Sequence, residues 1–191
     1  MSDIEKTREQ ISNERRHMAA TQRAFGQAIR QATDGERPYA EFYGACVNYL
    51  EFIMERFHAQ DQSHMDTIMP LRDTFSKEDQ ALLDDLNETF IRSRSEIDDL
   101  VVAIKQFKQD GASGRAAFEE AGRKYAEYYM TILSKRRHSI RHLVDPNYTP
   151  EQYQAHSYIT EETIQQEKEL FGRVEATVPA DVTLEVIFRQ D

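Results

Sequence analysis

The chain has 191 residues, 39% hydrophobic and 30% charged, with a formal net charge of −10. That length carries one domain with a real core and an appendage, and the hydrophobic content is too high for general disorder. So acidic a chain repels nucleic-acid phosphates and anionic bilayers, and neither is an expected partner.

Only 7 glycines and 5 prolines punctuate the sequence, which favours long uninterrupted helices over a turn-rich β fold. Cys46 is the single cysteine. No intrachain disulfide can form, and a cytoplasmic setting is the expectation. The opening residues Met1 to Lys6 carry no apolar secretory core, and no stretch has the length of a membrane span.

The first helix is expected over about Asp3 to Thr33, with Ser2 as its N-cap. Ile4, Ile11, Met18, Phe25 and Ala32 recur every seven residues, the seam of a helix packed nearly parallel to its neighbours. The first part of this helix is very polar and is expected to project beyond the core. His17 sits beside the seam at Met18. Asp34 to Pro38 is a short loop in which Gly35 stops one helix and Pro38 starts the next.

The second helix, Tyr39 to about Met69, organises the rest. Phe42, Cys46, Tyr49, Ile53 and Phe57 form its apolar stripe. The stripe then changes character to Asp61, His64 and Ile68. A carboxylate and an imidazole three apart on a core-facing side need a partner or a metal. Glu55 and His58 form a Glu-x-x-His pair, a spacing that stacks both side chains on one face, as in di-iron bundles.

Pro70 ends that helix and Ser76 caps a third, whose stripe is Leu83, Leu86, Phe90, Ile97, Val101, Ile104 and Phe107 with a polar break at Ser93 and Arg94. After a turn at Asp110 to Gly114, a fourth helix is expected from about Arg115 to Val144. Its stripe is rich in tyrosine, at Tyr125, Tyr128 and Tyr129. It ends in a basic segment carrying His138 and His142, four apart on one face, before Asp145 and Pro146. Four helices of similar length, short loops and no strand signal predict an all-α, up-down-up-down four-helix bundle over residues 1–146.

Residues 147–191 read as a helical C-terminal extension. Thr149 to Gln152 is a capping box with proline at the first helical position, and Thr160 starts another helix. Beyond Pro179, the run Val182 to Phe188 is unusually apolar. Left free it would be an exposed hydrophobic patch, so it is expected to dock on the bundle or to join a second subunit in a homodimer.

This layout resembles the hemerythrin-like HHE cation-binding domains over roughly Glu14 to Pro146. The similar pieces are Glu14 to His17, Phe57 to His64 with Ile68 to Pro70, and His138 to Pro146. The resemblance implies a four-helix bundle whose His and carboxylate side chains hold a non-haem iron centre, with a second iron in a di-iron site. The implied roles are binding or sensing of O2 or NO, or metal handling. The implied ligands are His17, His58, Asp61, His64 and His138 or His142, with Glu55 as an extra carboxylate. In that family's second-helix pattern a Glu follows the His by four residues; here Gln62 follows His58, and on the fourth helix the second position is His142.

Two other readings fit the same residues. In one, the bundle is metal-free, a buried ion pair such as Asp61 with Arg94 or Arg136 replaces the metal charge, and the extension makes a dimer or grips a partner. In the other, the tyrosine-rich interior is a pocket for a small molecule or a substrate. His156 reads as a surface residue of the extension.

Overall fold

A computed structural model describes residues 3–33, 39–134, 141–144, 146 and 148–187. The protein is all-α, with no strand among the described residues. The elements are α1 (Asp3–Thr33), α2 (Ala40–Ile68), a 3-10 turn (Met69–Thr74), α3 (Lys77–Asp110), a second 3-10 turn (Gly111–Gly114), α4 (Arg115–Ser134), α5 (Arg141–Val144), α6 (Pro150–His156) and α7 (Glu161–Thr177).

Local chemistry sets these boundaries. Pro70 has no N–H to continue α2, and the chain tightens into a 3-10 turn at Met69. The Ser76 hydroxyl accepts from the Asp79 amide at 3.1 Å and opens α3. Gly111, at φ 59°, closes α3 in the left-handed region. Thr149 and Thr160 each form a capping box, with Gln152 and Thr163 as the reciprocal partners. α7 continues through Gly172 to Thr177. The expected run of the fourth helix to Val144 crosses 135–140, which lie outside the described residues.

Four helices close a ring in which α1 touches α2 and α4, and α3 touches α2 and α4. Cross-helix pairs fix the directions. Tyr43 near the start of α2 donates to the Ala28 carbonyl near the end of α1 at 3.4 Å. His58 late in α2 meets Ser93 in the middle of α3. Phe107 near the end of α3 stacks on Phe118 near the start of α4 at 5.5 Å. Tyr125 on α4 meets Gln22 on α1, and Arg115 donates to the Ala32 carbonyl at 3.2 Å. Each neighbour runs antiparallel to the next, as an up-down-up-down bundle requires. α1 and α4 approach closely at Gly122, where a Cβ would stand 2.7 Å from Ile29 Cδ1.

The apolar seams of all four helices meet in one core. Ile11, Met18, Phe25 and Ala32 of the first heptad are buried in it, as is the whole Phe42 to Phe57 stripe. The start of α1 does not project: Thr7 and Ile11 are buried, and α6 packs against this end of the helix. A smaller cluster of Met65, Ile68, Leu83, Leu143 and Val144 closes the end of the bundle, with Phe75 and Tyr148 against it.

The extension folds back on its own bundle. α7 packs mainly on α2 and also on α1, putting Phe171 and Val174 into the main core. The chain after it runs extended along α1. Gln27 and Gln31 donate to the Asp181 carbonyl at 3.0 Å each, and Arg23 donates to that of Glu185 at 2.9 Å. Gln27 also accepts from the Thr183 amide at 3.0 Å, and Tyr39 donates to the Asp181 carboxylate at 2.8 Å. Val182 is buried beneath this strap.

Candidate functional site

Three charged residues interrupt apolar seams on three helices, and the fold brings them together. Glu14 lies between Ile11 and Met18 on α1, Arg56 follows Ile53 on α2, and Glu167 precedes Phe171 and Val174 on α7. They are 0%, 6% and 2% exposed. Arg56 donates through Nη2 to Glu14 Oε2 and through Nη1 to the Ser157 carbonyl at 2.8 Å. Gln10 donates to the other Glu14 oxygen at 3.0 Å. Glu167 Oε1 accepts from the Tyr49 hydroxyl at 3.0 Å and meets His17 Nδ1 at 2.9 Å. The His17 ring lies flat on Phe171.

Burial opposes both members of the central pair. It pushes the Glu14 carboxyl above its ordinary range, and Arg56 and the Gln10 hydrogen bond pull the other way. It lowers Arg56, and the Glu14 charge works against that. Burial also raises Tyr49, with the Glu167 charge adding to it. Ionised carboxylates at this depth need a cation. Here the guanidinium supplies it beside Glu14, with Glu167 in electrostatic reach. Such a network is suited to holding α7 against α1 and α2. It offers no poised nucleophile.

The residues implied as metal ligands face different elements. His17 faces α7. His58 faces α3, where its Nε2 is 2.9 Å from Ser93 Oγ and its ring meets Phe90 edge-on. The Ser93 hydroxyl also donates to the Phe90 carbonyl at 3.0 Å, which favours the His58 tautomer with its hydrogen on Nε2 and its lone pair on Nδ1. His64 faces Tyr148 and Tyr153, with ring centroids at 5.5 and 6.4 Å. Its buried Nε2 has no hydrogen-bond partner among the described residues. Burial, with the His156 and Arg15 charges, pushes the His64 pKa down to about 4.

Asp61 and Glu55 are exposed, contrary to a core-facing Asp61. Past Phe57 the buried stripe runs through Gln60, His64 and Ile68, and Asp61 stands one residue further round the helix. Arg94 is also exposed, so Asp61 and Arg94 form no core pair. Arg136 and His138 lie outside the described residues. His142 is exposed and meets the Asp79 carboxylate at the start of α3 at 2.8 Å. Among the described residues no group of three or more His, Cys, Asp or Glu side chains is placed to hold a metal ion. The described members of the set, His17, Glu55, His58, Asp61, His64 and His142, are not brought together in one such group.

The tyrosine-rich interior is filled by its own rings. Tyr43, Tyr49 and Tyr125 are fully buried and pack against Phe25, Phe118, Phe171 and Tyr129. Two open grooves lie on the surface of α3 and α4. One of about 560 Å3 runs between those helices past Asp85, Glu88, Arg92, Asp99, Lys124 and Tyr128.

Geometry defines the class as an all-α four-helix bundle with a docked helical arm. No family model matches the chain, and neither does any curated protein or solved structure. No helix among the described residues is long and apolar enough to cross a membrane.

Proposed function

We propose that the chain is a metal-free interaction protein: a four-helix bundle that binds through its surface and whose polar core is an ion-pair clamp on its own C-terminal arm. The observation that carries this reading is the Arg56 guanidinium seated against Glu14 inside the bundle. The internal carboxylates find their cation and donors in the protein, so the core calls for no metal. The filled aromatic interior leaves the outer faces as the place to act.

The test is elemental analysis of protein expressed in iron-supplemented medium and purified without chelator, with Fe2+, Zn2+ and Mn2+ then added separately. The expected content is below about a tenth of an equivalent, with no change in melting temperature on addition. Stoichiometric uptake that disappears in His58→Ala or His64→Ala would overturn the reading and restore the iron-binding one.

A further inference from the structure

α7 and the strap after Pro179 dock on α1 and α2 as one unit. A short hinge, Tyr158 to Thr160, joins that unit to the rest of the chain. Ser157 anchors the near side of the hinge, its carbonyl accepting from the buried Arg56 at 2.8 Å. Tyr158 has φ 54°, the one positive φ at a non-glycine among the described residues. After a helix this left-handed position favours glycine, because a Cβ there crowds the backbone. The Tyr158 side chain is 45% exposed, so its own packing offsets little of that strain. Straightening the hinge relieves it and lifts α7 from its seat. An emptied seat is costly, because Tyr49 and His17 lose both the Glu167 carboxylate and the Phe171 ring.

We propose that α7 and the strap exchange between two copies of this chain, so that each bundle's buried clamp is completed by the partner's Glu167. The proposal rests on the interaction-protein reading and names the partner. The seat identifies its occupant. It takes a carboxylate, an aromatic ring four residues on and an aliphatic side chain three beyond that, as Glu167, Phe171 and Val174 supply. It then takes a strap whose carbonyls meet Arg23, Gln27 and Gln31. A second copy carries that segment in full. Every contact broken within a chain is remade between chains, so the hinges and the concentration set the balance. In dilute protein each arm closes on its own bundle, held near its seat at an effective concentration of about 1 mM. Relief of Tyr158 in two hinges lowers the concentration for exchange by about tenfold, to roughly 0.1 mM.

Sedimentation of the full chain from low concentration up to about 1 mM tests this, in about 0.15 M salt to screen the −10 charge of each copy. A dimer is expected to appear near roughly 0.1 mM. Tyr158→Gly relaxes the closed hinge and is expected to raise that concentration about tenfold. Tyr158→Pro cannot adopt φ 54° and is expected to lower it. Unchanged helical circular dichroism confirms that each variant folds, and the glycine variant alone suffices if the proline one does not. In dimer formed from 13C-labelled and unlabelled chains, filtered NOEs are expected between Phe171 of one copy and Tyr49 of the other, whose ring centroids stand 5.6 Å apart across the seat. Three results overturn the proposal: monomer at every concentration, a dimer without those NOEs, or the same dimer midpoint in the wild type and in Tyr158→Gly. Metal uptake would instead strike the reading beneath, so the two failures are distinguishable.

Discussion

His17 lies flat on Phe171, their ring centroids 4.1 Å apart and their planes within 7°, and the same imidazole meets Glu167 one helical turn earlier. Stacking and hydrogen bond together fix both the height and the rotation of α7 over α1. Glu167 is the more vulnerable member, because Tyr49 donates to it from a wholly buried position. Glu167→Ala is expected to leave that hydroxyl without a partner and to cost about 2–3 kcal/mol. For a chain of this size the melting temperature should fall by roughly 5–10 °C. Amide exchange should quicken in α7 before it does in α3. An unchanged melting curve with unchanged α7 exchange would show that the stack alone holds the arm.

Arg56 and Glu14 give a sharper contrast between breaking a buried pair and replacing it. Arg56→Met strands a carboxylate that is 0% exposed, and the expected loss is about 3–5 kcal/mol. Adding Glu14→Leu removes the stranded charge and should recover most of that loss. The single variant should also respond to pH in a characteristic sense. The folded Glu14 carboxyl is already raised by burial, and Arg56 is the chief influence holding it down. Without Arg56 the folded state binds a proton more readily than the unfolded chain, so stability falls as pH rises through that range and recovers in mild acid. Urea midpoints at pH 5 and pH 8 for the wild type, the single and the double variants check this. His64 is common to all three proteins, so the double variant is the reference; a single variant whose stability change from pH 8 to pH 5 equals that of the double variant would contradict it.

Heptads on the first helix and the aromatic stripe on the second specified the bundle, because burying such faces leaves few alternatives. The caps at Ser76, Thr149 and Thr160 were equally legible, since each needs only its own residue and the one three later. The internal pair was harder to read. Asp61 attracts attention as a carboxylate near a histidine, yet it stands one residue off the buried line that Gln60 and His64 continue. A signal for the true pair was present: Glu14, Arg56 and Glu167 each occupy a seam position between apolar residues. That they meet depends on where α7 lands, a long-range relationship that no local pattern encodes. Equally, nothing in the spacing of His58 showed that Ser93 would claim its Nε2.

His64 makes the folded state sensitive to acid. Its pKa is pushed from 6.5 down to about 4, first by burial and then by His156 and Arg15. The unfolded chain binds this proton near pH 6.5 and the folded one only near 4. Stability from this group is therefore complete above pH 6.5 and drains away as pH falls towards 4, by roughly 3 kcal/mol at most. His58, also lowered by burial, acts in the same direction. His64→Leu should flatten this part of the profile and, by removing the unpartnered Nε2, hold or raise stability at pH 7.5. Urea midpoints of both proteins between pH 7.5 and 4.5 measure the difference. Parallel profiles would mean that His64 is as accessible to protons folded as unfolded.

The strap beyond Pro179 is expected to stabilise its own chain. Arg23, Gln27 and Gln31, spaced four apart on one face of α1, bond its backbone at three points, and Val182 is 6% exposed beneath it. Each hydrogen bond is near the surface and worth about 0.5–1.5 kcal/mol at most. Val182, with Leu184 and Val186 partly buried against the core, adds the apolar share. Truncation after Pro179 should therefore cost about 2–4 kcal/mol, and Gln27→Ala alone about 1 kcal/mol, because Gln27 both donates to Asp181 and accepts from Thr183. Sedimentation separates a strap that closes on its own bundle from one that bridges two chains. The truncated chain should keep the solution mass of the full one apart from the residues removed. A halving of that mass would mean that these residues join two copies, with the face of α1 around Gln27 as the receiving surface.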